Sequence, residues 1–250
     1  MLYSYDMLEA FTASLIAGLA TGLGAAILLV FKRVSMRVFD TMIGFSAGVM
    51  ASASIFGLII PAIELGGLWR VVIGFLVGAI VVHMFDMRLP ELFRKAGQPP
   101  PSRLVHQGFL MAGTIALHNV PEGFAVGAGY ASGHPGLGLF LALAIALQNI
   151  PEGTAVAAPL IAGGIRRRRS VLLATLSGLI EPVAAVAGFA LVNHATTLLP
   201  SALGFAAGAM FFAVSHDLLP ESHNHGHETL ATWSFLIGFL SMLVLDQLMG

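Results

Sequence analysis

The chain has 250 residues, 57% hydrophobic and only 10% charged, against roughly 45–50% and about 25% for an ordinary soluble domain. A net charge of −1 argues against a nucleic-acid partner, and the absence of cysteine excludes disulfides and thiolate metal sites. The composition is that of an all-α integral membrane protein.

Apolar blocks of about 20 residues, the length that crosses a hydrocarbon layer of roughly 30 Å, predict eight helices. They fall at about 7–31, 39–63, 68–87, 106–131, 136–162, 170–193, 198–219 and 230–249, with a linker at 88–105. The start MLYSYDMLEAF lacks the basic region of a signal peptide, so the first helix is expected to remain in the mature protein. The connection after the first helix holds Lys32, Arg33 and Arg37; that after the third holds Arg88, Arg94, Lys95 and Arg103; that after the fifth holds Arg166 to Arg169. These are 11 of the 12 basic residues, and only Arg70 falls on the other side. Basic loops stay cytoplasmic, so both termini are expected outside. The proline run at 99–101 is expected to forbid helix and to join the first three helices to the rest.

Two repeats organise the chain. ALHNVPEGFAVGA (116–128) matches ALQNIPEGTAVAA (146–158) at an offset of 30, and GFSAGVM (44–50) echoes GFAAGAM (204–210). Both link oppositely directed helices. They predict inverted-repeat pseudosymmetry, with helices 1–3 mirroring 6–8 and helix 4 mirroring helix 5. Gly204 and Gly208 also fit the small-residue spacing of ordinary membrane-helix packing.

Polar residues gather in these motifs. His118 and Glu122 are four apart and share a helix face, as do Gln148 and Glu152; Asn119 and Asn149 sit one position round. Pro121 and Pro151 cannot donate to the carbonyls of Leu117 and Leu147, and Glu181 lies deep in the apolar run GLIEPVAA. An ionised carboxylate at the bilayer centre costs a few kcal/mol even on a lenient scale, roughly 2.5–3.5. A divalent cation offsets that by neutralising two carboxylates while accepting imidazole nitrogen and amide oxygen. Carboxylates can also bridge two metals about 3.5–4 Å apart.

HNVPEG on the fourth helix, QNIPEG on the fifth and GLIEPVAA on the sixth resemble the signature of the ZIP (Zrt/Irt-like) family of divalent metal transporters in its short bacterial form, over essentially the full chain. The resemblance implies zinc and related first-row metals moved across the inner membrane into the cytoplasm by a homodimer. It implies a binuclear centre between helices 4 and 5. His118, Glu122, Gln148 and Glu152 would form one metal site; Asn119, Glu122, Asn149, Glu152 and Glu181 would form the other. Many members carry histidine where Gln148 stands, and an amide binds zinc less tightly than imidazole, which favours broader use of iron, manganese, cobalt or cadmium. The resemblance also implies an elevator-like movement of one helix group.

The end of helix 7, VSHDLLPESHNHGHE, together with His83 and Asp86, suggests a cytoplasmic exit. His216 and Asp217, still helical, are its best candidates, while His223, His225, His227 and Glu228 fit a solvated loop equally well. Glu64, His134 and His194 read as isolated outer residues, Glu64 as a candidate entrance acid. The rival readings are a membrane-embedded zinc metalloenzyme, a metal sensor and an exporter. HETLA at 227 lacks the second histidine of the HExxH zinc-protease motif.

Overall fold

A computed structural model describes residues 2–31, 34–96, 102–134 and 136–249. Lys32, Arg33 and the proline run, which carry part of the loop reading, lie outside the described residues. Among the described residues there are helices and no strands: α1 (Leu2–Val30), α2 (Met36–Gly66), α3 (Leu68–Ala96), α4 (Arg103–Ala131), α5 (Leu137–Ala162), α6 (Arg167–His194), α7 (Thr196–Ser222) and α8 (Glu228–Met249). All but α4 are both long and apolar enough to cross a membrane. At 29 residues α4 is also long enough, but it carries the first polar motif.

Local chemistry sets the ends and breaks. Ser35 and Ser102 cap α2 and α4 by accepting from the amides of Val38 and Val105. Pro61 and Pro220 are each preceded by a π-turn, Ala53–Ile59 in α2 and Val214–Leu218 in α7, where bonds reach back five residues, as from Ile60 to Ile55. Pro182 has no N–H to give Gly178, and α6 breaks beside it at Leu179. Two boundaries correct the sequence reading. Helix α3 runs through Pro90 to Ala96 rather than ending near 87, which shortens the linker of 88–105; at a helix end, the carbonyl that a proline leaves free can turn to water. Arg167 to Arg169 form the first turn of α6 rather than a loop.

Two helix groups emerge. Helices α1, α4, α5 and α6 pack together, with α1 on α5, α4 on α6 and α4 on α5; α3 lies on α7 and α2 on α8, with α2 touching α7. Exchanging 1 with 6, 2 with 7, 3 with 8 and 4 with 5 maps these pairings onto one another. Several close approaches obey the same exchange at an offset of 160 residues. Gly44 and Gly48 of α2 lie against the backbone of Ala231 and Phe235, while Gly204 and Gly208 of α7 lie against Val71 and Phe75. Likewise Gly238 lies on Phe45 and Gly78 on Phe205, and Gly18 and Gly178 face each other. Glycine lets these backbones touch where any Cβ would collide.

Candidate metal centre

The motif glycines bring the centre together. Gly123, directly after Glu122, lies against the backbone of Glu181, and Gly153, directly after Glu152, against that of Thr21. The asparagines reinforce both seams: Asn119 Nδ2 donates to the carbonyl of Ser177 at 2.8 Å, and Asn149 Nδ2 donates to that of Ala17 at 2.8 Å. Ala17 and Ser177 again differ by 160, so each PEG helix is stitched to its neighbour by one asparagine and one glycine at matching places. This explains the repeated Asn and Gly of the two motifs before any ligand is considered.

All seven predicted ligands, His118, Asn119, Glu122, Gln148, Asn149, Glu152 and Glu181, are buried. Gln148 Nε2 donates to Glu122 Oε1 at 2.7 Å, and Asn149 Nδ2 donates to Glu181 Oε1 at 2.6 Å. Ser46, on α2, donates to Glu152 Oε1 at 2.9 Å. Each of the three carboxylates therefore has one oxygen held by a neutral donor. Gln148 and Asn149 of α5 thus reach Glu122 of α4 and Glu181 of α6, so the set is one connected cluster.

What remains unpaired decides what the cluster can do. Among the described residues, buried side-chain atoms without a hydrogen-bond partner include His118 Nδ1, Asn119 Oδ1, Glu122 Oε2, Gln148 Oε1, Asn149 Oδ1, Glu152 Oε2 and Glu181 Oε2. Every predicted ligand thus offers one free acceptor atom. Buried acceptors left unpaired cost free energy, and here they are concentrated rather than scattered. One nitrogen and six oxygens, three of them from carboxylates, form a donor set for divalent cations, harder than a thiolate site.

The candidate exit residues are partly assembled. Asp86, His216 and Asp217 each place a ligand atom within 4.8 Å of the others, and His216 Nε2 lies 3.3 Å from Asp86 Oδ2. His83 stands outside that trio with its ring 6.4 Å from His216 and 5.3 Å from Phe212. Asp217 also meets His118, with Nε2 to Oδ2 at 3.1 Å, and so joins centre and trio. Both His216 and Asp217 belong to the π-turn of α7, whose wider register re-aims side chains. Glu64, His134 and His194 are exposed.

Family comparison agrees with the motif resemblance. The family described as ZIP Zinc transporter matches residues 95–246. The chain is 40% identical to the zinc transporter ZIPB of Bordetella bronchiseptica, covering 92% of this chain and 78% of that one. It is 39% identical to the zinc transporter GufA of Myxococcus xanthus, over 95% and 98% of the two chains. It belongs to the ZIP family. As a ZIP protein it is a multi-pass membrane transport protein and not an enzyme.

Two residues of this ZIP protein escaped the sequence reading. Ser46 could have been found as the one polar difference between GFSAGVM and GFAAGAM, where its counterpart is Ala206. Asp40 is fully buried and accepts from Nδ1 of His225 at 2.8 Å and of His227 at 3.0 Å, so those histidines are fastened rather than loose. Nothing local in the sequence joins Asp40 to a loop 185 residues away.

Proposed function

We propose that this protein carries zinc across the inner membrane into the cytoplasm through a two-metal centre between α4 and α5, held by His118, Asn119, Glu122, Gln148, Asn149, Glu152 and Glu181. The observation that carries the reading is that each of these buried residues keeps one coordinating atom unpartnered. Three carboxylates, each stabilised by a single neutral donor, need either protons or cations to offset their burial, and a divalent ion serves two at once. Metal entry then expels protons. The oxygen-rich set with a single imidazole supports iron, manganese, cobalt and cadmium as further substrates.

The eight helices cross the membrane as two inverted halves with both termini outside, and the homodimer that the family resemblance implies would hold two such centres. Alternating access comes from moving the group of α1, α4, α5 and α6 against α2, α3, α7 and α8. Metal leaves by passing from His118 to Asp217 and on to Asp86 and His216, with His83 beside them; the 3.1 Å contact of His118 with Asp217 supports this order. The basic residues Arg88, Arg103 and Arg166 to Arg169 support the cytoplasmic side for that exit.

The test is uptake of zinc, cadmium and manganese into liposomes under an imposed metal gradient. Saturable flux in wild type, lost in a Glu122→Ala, Glu152→Ala double variant, is expected. Metal bound at these residues with no flux under any gradient or pH difference would sink the transport reading in favour of a sensor. His216→Ala with Asp86→Ala should slow flux and leave metal binding at the centre intact; unchanged flux would remove the exit role.

A further inference from the structure

The three buried glutamates are not held alike. Glu122 and Glu181 take their single donor from Gln148 and Asn149, within the group of α1, α4, α5 and α6. Glu152 takes its donor from Ser46 on α2, a helix of the other group. The same hydroxyl lies 3.2 Å from the carbonyl oxygen of Gln148, one turn before Glu152, and Ser46 is fully buried. One hydroxyl therefore touches both the side chain of a metal-ligating glutamate and the backbone that carries it. Glu152 has no other side-chain donor among the described residues, and its second oxygen is the unpartnered one.

We propose that Ser46 is a positioning residue for zinc transport: it holds Oε1 of Glu152 so that Oε2 faces the metal, and it ties α5 to α2 in the conformation seen here. The inference rests on the transport reading above. A carboxylate keeps lone pairs to spare when it accepts one hydrogen bond, so Ser46 orients Glu152 without using up its capacity for metal. Without the hydroxyl, Glu152 loses the side-chain donor that fixes it and can rotate away from the shared site, so zinc must reorganise it on binding. The tie between the groups also has to break whenever they move past one another. Its removal therefore weakens zinc binding without slowing the moving step.

The test compares zinc uptake and equilibrium zinc binding for wild type, Ser46→Ala, Ser46→Val and Ser46→Thr in the full chain. Ala keeps the space and removes the hydroxyl, and Val and Thr match in shape while only Thr keeps it. For Ala and Val we expect KM and the zinc dissociation constant to rise about tenfold, the scale of one hydrogen bond to a charged group, with maximal rate equal to or above wild type. Thr should restore KM to within about threefold of wild type. A KM for Ser46→Ala within about twofold of wild type overturns the inference, as does a Thr variant that behaves like Val. If wild type itself neither moves nor binds zinc, the transport reading has failed instead.

Discussion

Replacing Gly153 by alanine tests whether the motif glycines build the centre. A Cβ at Gly153 would stand 2.7 Å from the carbonyl carbon of Thr21 and closer still to its oxygen, inside the 3.0 Å that real Cβ atoms keep. Both obstacles are backbone, so no rotamer relieves them, and α5 must draw back from α1 by about 1 Å. Overpacking of this kind costs about 1–3 kcal/mol. The functional loss should be larger than that of stability, because metal–ligand distances tolerate only about 0.2 Å and Glu152 is the adjacent residue. We expect Gly153→Ala to melt at lower temperature in detergent, to bind zinc at least about tenfold more weakly and to lose most liposome flux. Val120→Ala, at a half-exposed position beside the other motif, is the control and should change neither. Wild-type zinc affinity in Gly153→Ala would refute the idea that helix contact sets ligand geometry.

Gln148→His puts an imidazole where an amide now donates to Glu122. It should tighten zinc binding and sharpen selectivity, so that manganese competes less well with zinc uptake; unchanged competition would take Gln148 out of the ligand set. Asp40→Ala removes the acceptor shared by His225 and His227, two hydrogen bonds to a buried carboxylate worth about 1.5–3 kcal/mol each. Hydrogen exchange over residues 223–227 should speed up and the melting temperature should fall, with zinc binding at the centre preserved. If exchange there is unchanged, the histidine clamp does not hold the loop.

Much of this was legible in the sequence because lipid makes polar residues conspicuous. His118, Glu122, Gln148, Glu152 and Glu181 stood out against apolar helix, and all are buried in one cluster. The echo of GFSAGVM in GFAAGAM marked helices whose glycines contact partners at matching places. Helix ends were less legible. The third helix was expected to end near 87, although one lost donor at Pro90 is tolerated, and no pattern announced the π-turns before Pro61 and Pro220. Contacts made only by the fold were invisible, above all Ser46 with Glu152 and Asp40 with two histidines of a distant loop.

The contacts that cross between the helix groups break the symmetry that the backbone keeps. At the offset of 160, the counterpart of Ser46 is Ala206, which has no hydroxyl to offer Glu122. The counterpart of Asp217 is Gly57, or Leu58 when counted back from Pro61 and Pro220, and neither can meet Gln148 as Asp217 meets His118. If the two transport states exchange the roles of the repeats, both ties belong to the state seen here and nothing replaces them in the other. On that premise the side chains would bias an otherwise even exchange, and the bias would be removable. Ser46→Ala with Ala206→Ser moves the hydroxyl to the mirrored position, where it can serve Glu122 in the opposite state, and should shift the population toward that state. Because the chain has no cysteine, a single introduced cysteine is a unique reporter of accessibility. One placed at Ser215, exposed in the π-turn of α7, should label at a different rate in the double variant than in wild type. Equal rates with and without zinc would mean that the hydroxyl does not weigh on the balance between states.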